Sequence, residues 1–333
     1  MPSNKLKILV SLYHRNPWWN IPAEVVQRII QEVVPSEVKV AFGMQEILKE
    51  IVEADIYFGW RITKEVFQAA QKLKWFHSGA AGIGGSLFPE LVESPLIVTN
   101  SKGVSASAIA EHIMGLMLAL IRQLKMSISY QLRGYWAQEE IMSQPQFLQT
   151  LEGKSLGIIG LGHIGRELAH RAKCFGMRII ALKKYIPAKG IEGVDRLLRQ
   201  NQLQELLKKS DFVVICASLT KQTWGLIGQR ELSLMKPTAF LINVARGKIV
   251  KQEELIKALR QGIIAGAALD VVENEPLPQD SPLWNMENVI ITPHIGGVFP
   301  AYWDKSLNLF VGNYKRFVRG EKLINLVDKK LGY

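Results

Sequence analysis

The chain is poor in the residues and segments that mark several protein classes. Its 333 residues include only two cysteines, Cys174 and Cys216, too few and too far apart for a disulfide framework or a cysteine-based zinc site. Two unclustered thiols favour a reducing compartment, and we expect both to be small core residues. No apolar run approaches the roughly 20 residues of a membrane span, and residues 1–7 lack the anatomy of a signal peptide. We therefore predict a cytoplasmic protein with no membrane partner and no metal.

Negative charge is also in short supply, since the formal net charge is +11 at pH 7. The basic residues are nevertheless scattered, without a basic helix face or an aromatic-interleaved basic stretch, so a nucleic-acid partner is not indicated. A basic surface would suit a multiply anionic cofactor and a carboxylate substrate. Hydrophobic residues make up 48% of the chain and charged residues 21%, which is enough apolar material for one large core or two ordinary ones.

The first hundred residues alternate short β-branched runs with segments of helical spacing. The predicted strands are Leu6–Leu12, Val38–Phe42, Asp55–Gly59, Lys74–His77 and Ile97–Thr99. Helical spacing occupies Ala23–Val34, Gln45–Glu53 and Lys64–Gln71. Such alternation predicts a parallel sheet with both faces covered.

A long helix is predicted from Val104 to about Lys125, and residues 126–150 are interpreted as a helix followed by a linker. A second alternation then begins at Ser155. Its six predicted strands are Leu156–Ile159, Arg178–Ala181, Phe212–Cys216, Ala239–Asn243, Ala265–Leu269 and Val289–Thr292. Six strands are the number in a complete dinucleotide-binding domain. A last helix, Ala301–Gly320, is predicted to pack back on the first domain, which would make that domain discontinuous.

A glycine-rich turn follows the first strand of this second half. Gly160 would permit a tight turn, Gly162 would let a pyrophosphate approach the backbone, and Gly165 would allow the following helix to lie close to the sheet. A strand before the motif and a helix after it are the context that the motif requires. We predict a dinucleotide cofactor bound by the residues of this turn, Gly160, Gly162, His163, Ile164 and Gly165.

The second strand of this half ends in Lys183 and Lys184, where an NAD-binding domain usually has an acidic residue. An acid would repel a 2′-phosphate, whereas two ammonium groups would attract it. This favours NADP(H), with NAD(H) possible and a merely solvated basic strand end as the alternative.

Three ionisable residues stand near the ends of later strands on the same predicted edge, namely Arg246, Glu275 and His294. Ligands bind at the carboxyl ends of strands in such sheets. A guanidinium can fork onto a substrate carboxylate and polarise a carbonyl, and an imidazolium beside a carboxylate can donate a proton as hydride arrives. These residues therefore predict the reduction of a 2-oxo acid.

With these motifs in place, the chain resembles the D-isomer-specific 2-hydroxyacid dehydrogenase family over nearly its whole length. The matching segments are the glycine turn, Ser78–Gly82, Ala110–His112, Asn243–Gly247, Ala268–Val271, Glu275–Leu277 and Pro293–Gly296. The resemblance implies an α/β protein of two doubly wound parallel-sheet domains. A flavodoxin-like substrate domain would comprise residues 1–102 plus 297–333, and a Rossmann cofactor domain would comprise residues 103–296.

The resemblance also implies roles for individual residues. Arg246 would bind substrate, His294 would be the general acid/base, and Glu275 would orient and charge His294. Asp270 would contact the nicotinamide carboxamide, and Val244, Ala245 and Gly296 would join the cofactor site. Backbone amides at Ser78, Gly79 and Ala80 would hold the substrate carboxylate. The product would be a D-2-hydroxy acid, and the protein would be a homodimer joined through the cofactor domain.

Departures from the family pattern and open alternatives qualify this interpretation. Lys183 replaces the usual acid, and the acidic residue common after the substrate loop is missing from Gly82–Gly85. Glu273 competes with Glu275, which we prefer because the family places its acid immediately before Pro-Leu. The absence of a regulatory domain after Tyr333 disfavours a serine-biosynthetic enzyme, and Glu275 in place of Gln disfavours formate dehydrogenase.

Two questions remain open at this level. The aromatic residues Trp18, Trp19, Tyr302 and Trp303 fit a substrate pocket, core packing or an interdomain seam equally well. Glyoxylate, hydroxypyruvate and larger aryl or alkyl 2-oxo acids are all compatible with the motifs.

A different class of function, a dinucleotide-sensing scaffold of the corepressor type, is the alternative to an enzyme. The intact set of Arg246, Glu275 and His294 argues against it.

Overall fold

A computed structural model describes residues 5–14, 16–143 and 148–332 of the chain. The chain divides into two compact units. The first unit consists of Met1–Val104 and Phe299–Tyr333, and the second unit is Ser105–Val298.

The described residues form strands in both units. In chain order they are β1 Lys7–Ser11, β2 Glu37–Val40, β3 Ile56–Gly59, β4 Trp75–Ser78, β5 Ile97–Asn100, β6 Ser155–Ile159, β7 Arg178–Leu182, β8 Arg196–Leu198, β9 Phe212–Ile215, β10 Phe240–Asn243, β11 Gly266–Leu269 and β12 Val289–Ile291.

Helices alternate with these strands. They are α1 Ala23–Glu32, α2 Met44–Glu50, α3 Lys64–Ala69, α4 Pro89–Glu93, α5 Ala106–Ile121, α6 Leu124–Gln131, α7 Gln138–Met142, α8 His163–Cys174, α9 Leu203–Lys209, α10 Gln229–Leu232, α11 Gln252–Arg260 and α12 Tyr302–Val318. Part of the linker predicted within residues 126–150 lies outside the described residues.

The five strands of the first unit form one parallel sheet in the order β2-β1-β3-β4-β5. This is the flavodoxin-like order, and all five strands lie where the sequence predicts them. The central strands β3 and β4 are buried along their whole length because helices cover both faces of the sheet.

Helix α12 belongs to the first unit although it is the last helix of the chain. Phe310 on this helix stacks on Phe58 of β3, with ring centroids 4.4 Å apart, and on Trp75 of β4 at 5.4 Å. The Tyr314 hydroxyl donates a hydrogen bond of 2.8 Å to the carbonyl of Val33. The apolar face of α12 thus completes the core on one side of the sheet.

The second unit has a parallel sheet of seven strands in the order β12-β11-β10-β9-β6-β7-β8. In chain order its first six strands, β6 to β11, follow the Rossmann order. The seventh strand, β12, extends the sheet at one edge. The predicted number of six strands was wrong because β8, Arg196–Leu198, was missed. Three residues beside a charged segment carry too little period-2 pattern to reveal a strand, and β8 forms because it pairs with β7.

The long helix predicted from Val104 to Lys125 is two helices, α5 and α6, which meet at an angle of 71°. Gln123 between them is left-handed, with a φ of 54°. The Lys125 ammonium donates hydrogen bonds of 2.6 Å to the carbonyls of Met286 and Val289, and these tertiary contacts hold α6 away from the axis of α5. No single described helix is long and apolar enough to cross a membrane, although this bent pair passes that test by length and composition.

The two cysteines differ from the expectation that both are core residues. Cys174 is exposed at the end of α8, whereas Cys216 is half-buried directly after β9. Burial raises the pKa of the Cys216 thiol to about 12, so this side chain remains a thiol. Both cysteines are free.

Candidate active site

The glycine turn between β6 and α8 has the geometry of a phosphate-binding loop. A Cβ on Gly160, whose φ is 101°, would lie 2.7 Å from the backbone nitrogen of Ala217. A Cβ on Gly165 would lie 2.6 Å from the carbonyl oxygen of Gly160, so only glycine lets the helix lie this close to the turn. A Cβ on Gly162 would meet nothing within 4 Å, which leaves open space in front of the first amides of α8. These residues fit a dinucleotide pyrophosphate.

Two of the predicted cofactor residues in this turn face different surroundings. His163 is the first residue of α8, and Ile164 packs against the hydrophobic core of the second unit. Both residues lie in the first turn of the helix, the end at which helices bind anions.

The basic pair Lys183 and Lys184 follows β7 at the same edge of the sheet. The Lys183 ammonium donates a 3.2 Å hydrogen bond to the carbonyl of Leu161, which ties this residue to the glycine turn. The Lys184 ammonium lies over the ring of Tyr185. The Lys183 amide pairs with the carbonyl of Leu198, so Arg199, which follows β8, is the neighbour of Lys183 at this edge. Sequence reasoning missed Arg199 because it missed β8.

The turn that carries Arg246 follows β10 and is fixed by a buried asparagine. The Asn243 carboxamide accepts a 3.1 Å hydrogen bond from the Ala245 amide and donates one of 3.0 Å to the Arg246 carbonyl. Val244 packs into the core, and Ala245 is half-buried. The role of Asn243 was not predicted, although an asparagine at the end of a strand and before a turn is a known signal for such a local bond.

Close approach of two loops brings Arg246 toward Glu275. A Cβ on Gly247 would lie 1.9 Å from the carbonyl of Val272, so only glycine allows the two loops to touch. The Arg246 guanidinium donates a 2.6 Å hydrogen bond to the Ala245 carbonyl. Burial among neighbouring atoms lowers the pKa of Arg246, and the charge of Glu275 partly offsets this effect. The guanidinium remains a cation, since arginine does not deprotonate in proteins.

His294 and Glu275 form a direct pair. The His294 Nδ1 lies 2.7 Å from the Glu275 Oε2, and the other oxygen of Glu275 accepts a 3.2 Å hydrogen bond from the Val272 amide. The two side chains remain 51% and 38% exposed, so a ligand can reach them. The side chain of Glu273 is exposed and has no such contact among the described residues.

Asp270 directly follows β11 and is almost fully buried. Its Oδ1 accepts hydrogen bonds from the Thr292 hydroxyl at 2.7 Å and the Ile295 amide at 3.0 Å, and its Oδ2 accepts one from the Gly296 amide at 3.0 Å. Burial alone would raise the pKa of Asp270, but contacts from His112, Thr292 and the two amides outweigh it and lower the pKa. The carboxylate therefore remains charged and is largely engaged by the protein.

The predicted substrate loop lies in the first unit, after β4. The Gly79 amide donates to the Gly59 carbonyl at 2.9 Å, and the Ala80 amide donates to the Ser78 hydroxyl at 3.2 Å. The next two residues, Ala81 and Gly82, are exposed, and their amides have no hydrogen-bond partner in the part of the chain that the structure describes. The Gly79 amide thus belongs to the sheet ladder and the Ala80 amide to a local bond with Ser78, so the amides of Ala81 and Gly82 are the ones left for a ligand in this loop.

Aromatic side chains surround this loop in the first unit. Trp19 and Trp60 meet edge to face with centroids 5.8 Å apart, and both contact Tyr302. Trp303 packs on Trp60 at 5.7 Å. The Tyr302 hydroxyl donates to the Gly79 carbonyl, and burial raises the pKa of Tyr302 well above its usual value. Trp19, Tyr302 and Trp303 therefore pack as a cluster around the loop, whereas Trp18 is half-exposed.

The carboxyl edge of the seven-stranded sheet combines a phosphate-binding turn with an acid–base pair and a nearby guanidinium. Such an edge defines a dinucleotide-dependent enzyme that acts on a small polar substrate. Among the described residues, no group of three or more His, Cys, Asp or Glu side chains could hold a metal ion.

Comparison with known proteins agrees with this class. The sequence profile of the D-isomer specific 2-hydroxyacid dehydrogenase NAD binding domain matches residues 114–296. A glyoxylate reductase of Thermococcus gammatolerans is 38% identical over 334 residues, covering 99% of this chain and 94% of that protein. A D-3-phosphoglycerate dehydrogenase of Methanocaldococcus jannaschii is 35% identical over 309 residues, which cover 90% of this chain and 57% of the relative.

A solved structure extends the similarity to the fold. The D-isomer specific 2-hydroxyacid dehydrogenase from Xanthobacter autotrophicus Py2, in complex with NADPH and MES, has a TM-score of 0.80 and 27% sequence identity. The alignment covers 98% of this chain and 99% of that one. The chain belongs to the D-isomer-specific 2-hydroxyacid dehydrogenase family and uses a nicotinamide dinucleotide to interconvert 2-oxo and 2-hydroxy acids.

Proposed function

We propose that this protein reduces small 2-oxo acids to D-2-hydroxy acids with NADPH as the preferred cofactor, and that Arg246, Glu275 and His294 carry out the reaction. The observation that supports this proposal most directly is the 2.7 Å contact between His294 and Glu275 at the ligand-binding edge of the second unit. When bound at this edge, the nicotinamide would supply the hydride.

His294 is the proposed proton donor. Its Nδ1 faces Glu275, while its Nε2 makes no hydrogen bond within the described part of the chain and is the nitrogen left for the substrate. A carboxylate beside the imidazole favours the charged, proton-donating form. His294 then gives the Nε2 proton to the carbonyl oxygen as C2 accepts hydride, and Glu275 stabilises the ring in the required orientation.

Arg246 is the proposed substrate-binding cation. Its guanidinium has several N–H groups besides the one bound to the Ala245 carbonyl, and a planar fork suits a carboxylate and the neighbouring carbonyl. Polarising that carbonyl makes C2 a better hydride acceptor. The Asn243 carboxamide holds the turn from which Arg246 extends.

The loop after β4 is the proposed site for the substrate carboxylate. Backbone amides bind anions well when they have no internal partner, and those of Ala81 and Gly82 meet this condition among the described residues. Ser78, Gly79 and Ala80 then serve mainly to hold the loop. We accordingly assign the substrate domain to residues 1–102 plus 297–333 and the cofactor domain to residues 103–296, an assignment supported by the two compact units.

The cofactor contacts are proposed from the edge of the second sheet. The glycine turn and the amides of His163 and Ile164 would hold the pyrophosphate, while Val244, Ala245, Asp270 and Gly296 would lie along the nicotinamide half. Asp270 is already engaged by Thr292 and two amides, so its contact with the carboxamide would be an additional one.

The preference for NADPH rests on the three cations after β7 and β8, Lys183, Lys184 and Arg199. The NADPH-bound Xanthobacter relative supports it indirectly. Replacing Lys183 by Asp should weaken the binding of NADPH by about 10-fold or more and strengthen the binding of NADH. The reason is that an acid repels the 2′-phosphate of NADPH and accepts hydrogen bonds from the ribose hydroxyls of NADH. Dissociation constants from fluorescence titration would show this, and equal use of both cofactors by the wild type and the variant would contradict it.

We further propose a homodimer joined through the second unit. The bent segment from α6 onward exposes several large apolar side chains, and Leu132 and Trp136 are 83% and 85% exposed. A second copy of the chain is the partner that resemblance to the family implies, and sedimentation analysis of wild type and Leu132→Glu would test it.

The two free thiols favour a cytosolic location.

The activity is tested by following NADPH oxidation at 340 nm with glyoxylate, hydroxypyruvate and longer 2-oxo acids. We expect turnover with at least one substrate and the D-isomer wherever C2 becomes a stereocentre. The L-isomer, or cofactor binding without turnover across the panel, would overturn the proposal, and the latter result would favour the scaffold.

A further inference from the structure

The backbone of His294 adopts a conformation that is rare for a residue with a side chain. Its φ is 55°, in the left-handed region that non-glycine residues seldom occupy. The His294 amide donates to the carbonyls of Asp270 and Thr292, both at 2.9 Å. Such a conformation persists only where the surrounding structure fixes it. The residues that fix it therefore control where the imidazole points.

The Asp270 carboxylate supplies most of that control. It accepts from the amides of Ile295 and Gly296, the two residues after His294, and from the hydroxyl of Thr292, two residues before it. The turn that carries His294 is thus held on both sides by one carboxylate. This arrangement works only if the carboxylate itself is held in place.

His112 of helix α5 is the residue that closes this network. Its Nε2 lies 3.0 Å from the Thr292 hydroxyl and 3.4 Å from the Asp270 Oδ1. The Thr292 hydroxyl has a single proton, which it gives to Asp270, because an ionised carboxylate can only accept. Thr292 must then accept from His112, so the Nε2 of His112 carries a proton. The hydrogen bonds run in one direction, from His112 through Thr292 to Asp270.

Packing reinforces the same contact. A Cβ on Gly296 would lie 3.0 Å from the His112 Cδ2 and 3.0 Å from the Asp270 Oδ2. The ring of His112 therefore rests against the turn at Gly296, and only 20% of the His112 side chain is exposed. The contact between α5 and the turn is both polar and steric.

We propose that His112 and Thr292 are positioning residues that hold Asp270 and the His294 turn, and thereby keep the His294 imidazole against Glu275. Neither residue touches the reacting atoms. The inference rests on the proposed role of His294, but the structural part, namely control of the His294 environment, can be measured without turnover.

Thr292→Val and Thr292→Ser form the decisive pair of variants. Valine keeps the shape and removes the hydroxyl, whereas serine restores it. We expect Thr292→Val to lower kcat about 10- to 100-fold, since small misplacement of a catalytic group has costs of that order, with little change in KM. Thr292→Ser should recover kcat to within about 3-fold of wild type, as expected if the hydroxyl is what matters.

A second readout separates positioning from a general loss of structure. NMR titration of the full-length, ¹⁵N-histidine-labelled protein should show a displaced His294 signal and an altered titration curve in Thr292→Val and in His112→Leu. Thr292→Ser and His112→Gln should match the wild type, because glutamine can also donate from its terminal nitrogen. Ser210→Ala is the matched control, since it removes a buried hydroxyl that donates to the Leu206 carbonyl at the opposite edge of the same sheet. It should lower the Tm by a few degrees without moving the His294 signal.

The outcomes distinguish the two proposals. A wild-type protein without turnover, but with a His294 signal that moves in Thr292→Val, would overturn the proposed function and support the positioning network. An active wild type whose kcat and His294 titration are unchanged in Thr292→Val would overturn the network.

Discussion

The carboxyl edges of the two sheets carry different chemistry, although both sheets are parallel and wound in the same way. The edge of the first unit presents backbone amides at Ala81 and Gly82 beside packed aromatic rings. The edge of the second unit presents ionisable side chains, including Arg246 and His294. Fold alone therefore does not decide what an edge does. The first edge is suited to holding an anion, and the second is suited to moving a proton.

The contrast is also clear in two histidines. His77 lies in β4 and is fully buried among Phe58, Trp75 and Phe310. Its Nδ1 is 2.6 Å from the Thr99 hydroxyl, and burial lowers its pKa to about 3. His294 is half-exposed and faces a carboxylate. The same side chain is a neutral core residue in one unit and the proposed proton donor in the other.

The largest effect is expected at the second edge. His294→Ala should lower kcat for 2-oxo acid reduction by about 10²–10⁴-fold, the usual contribution of acid–base catalysis. Binding of NADPH should change little, because the imidazole acts on the substrate. Steady-state kinetics together with fluorescence titration of the cofactor would establish both points. A modest loss of kcat, or a parallel loss of cofactor binding, would argue that His294 does not donate the proton.

A smaller and different effect is expected at the first edge. Tyr302→Phe removes the hydroxyl that donates to the Gly79 carbonyl but keeps the ring within the aromatic cluster. We expect KM for the 2-oxo acid to rise about 3- to 10-fold with kcat nearly unchanged, since a lost hydrogen bond loosens the loop. Phe299→Leu changes a neighbouring aromatic contact without removing a hydrogen bond and provides the control. A fall in kcat at constant KM would show that the first edge takes part in the chemical step.

The effect of His77 is expected in stability rather than in activity. The pKa of His77 is about 3 in the folded state and near 6.5 in an unfolded chain, so the unfolded state binds the extra proton first as pH falls. The contribution of His77 to stability is therefore complete above about pH 6.5 and is lost progressively toward pH 3. Between pH 7 and pH 5 the loss should be about 2 kcal/mol. Denaturant unfolding of wild type and His77→Gln at several pH values should show this dependence in the wild type alone.

Much of the fold and of the candidate site could be predicted from the sequence because the signals are local. The glycine turn is indicated by its spacing, and Glu275 and His294 lie in the loops that follow β11 and β12. The undetected features depend on tertiary contacts. Strand β8 exists because β7 pairs with it, and the break at Gln123 is fixed by Lys125, which reaches carbonyls more than 150 positions away. His112 likewise meets Thr292 only in the folded chain.

The hydrogen bonding of the substrate loop after β4 also depends on tertiary contacts that the loop sequence does not reveal. Residues 78–80 are the substrate-carboxylate site that the family resemblance implies, and that assignment stays a prediction. Whether an amide is available to a ligand depends on where the sheet ladder ends, and the Gly79 amide is still within it. Hydrogen bonding of this kind is decided by the neighbouring strand, so it could not be predicted from the loop sequence.

The central claim, that Glu275 keeps His294 in its proton-donating form, is tested most directly by the pH dependence of kcat/KM for reduction in wild type, Glu275→Gln and Glu273→Gln. Loss of the carboxylate charge at position 275 should move the alkaline limb of the profile to lower pH and reduce the maximal rate, because the imidazolium loses its stabilising neighbour. Glu273→Gln should leave the profile where it is. A profile that shifts in Glu273→Gln and not in Glu275→Gln would contradict the claim.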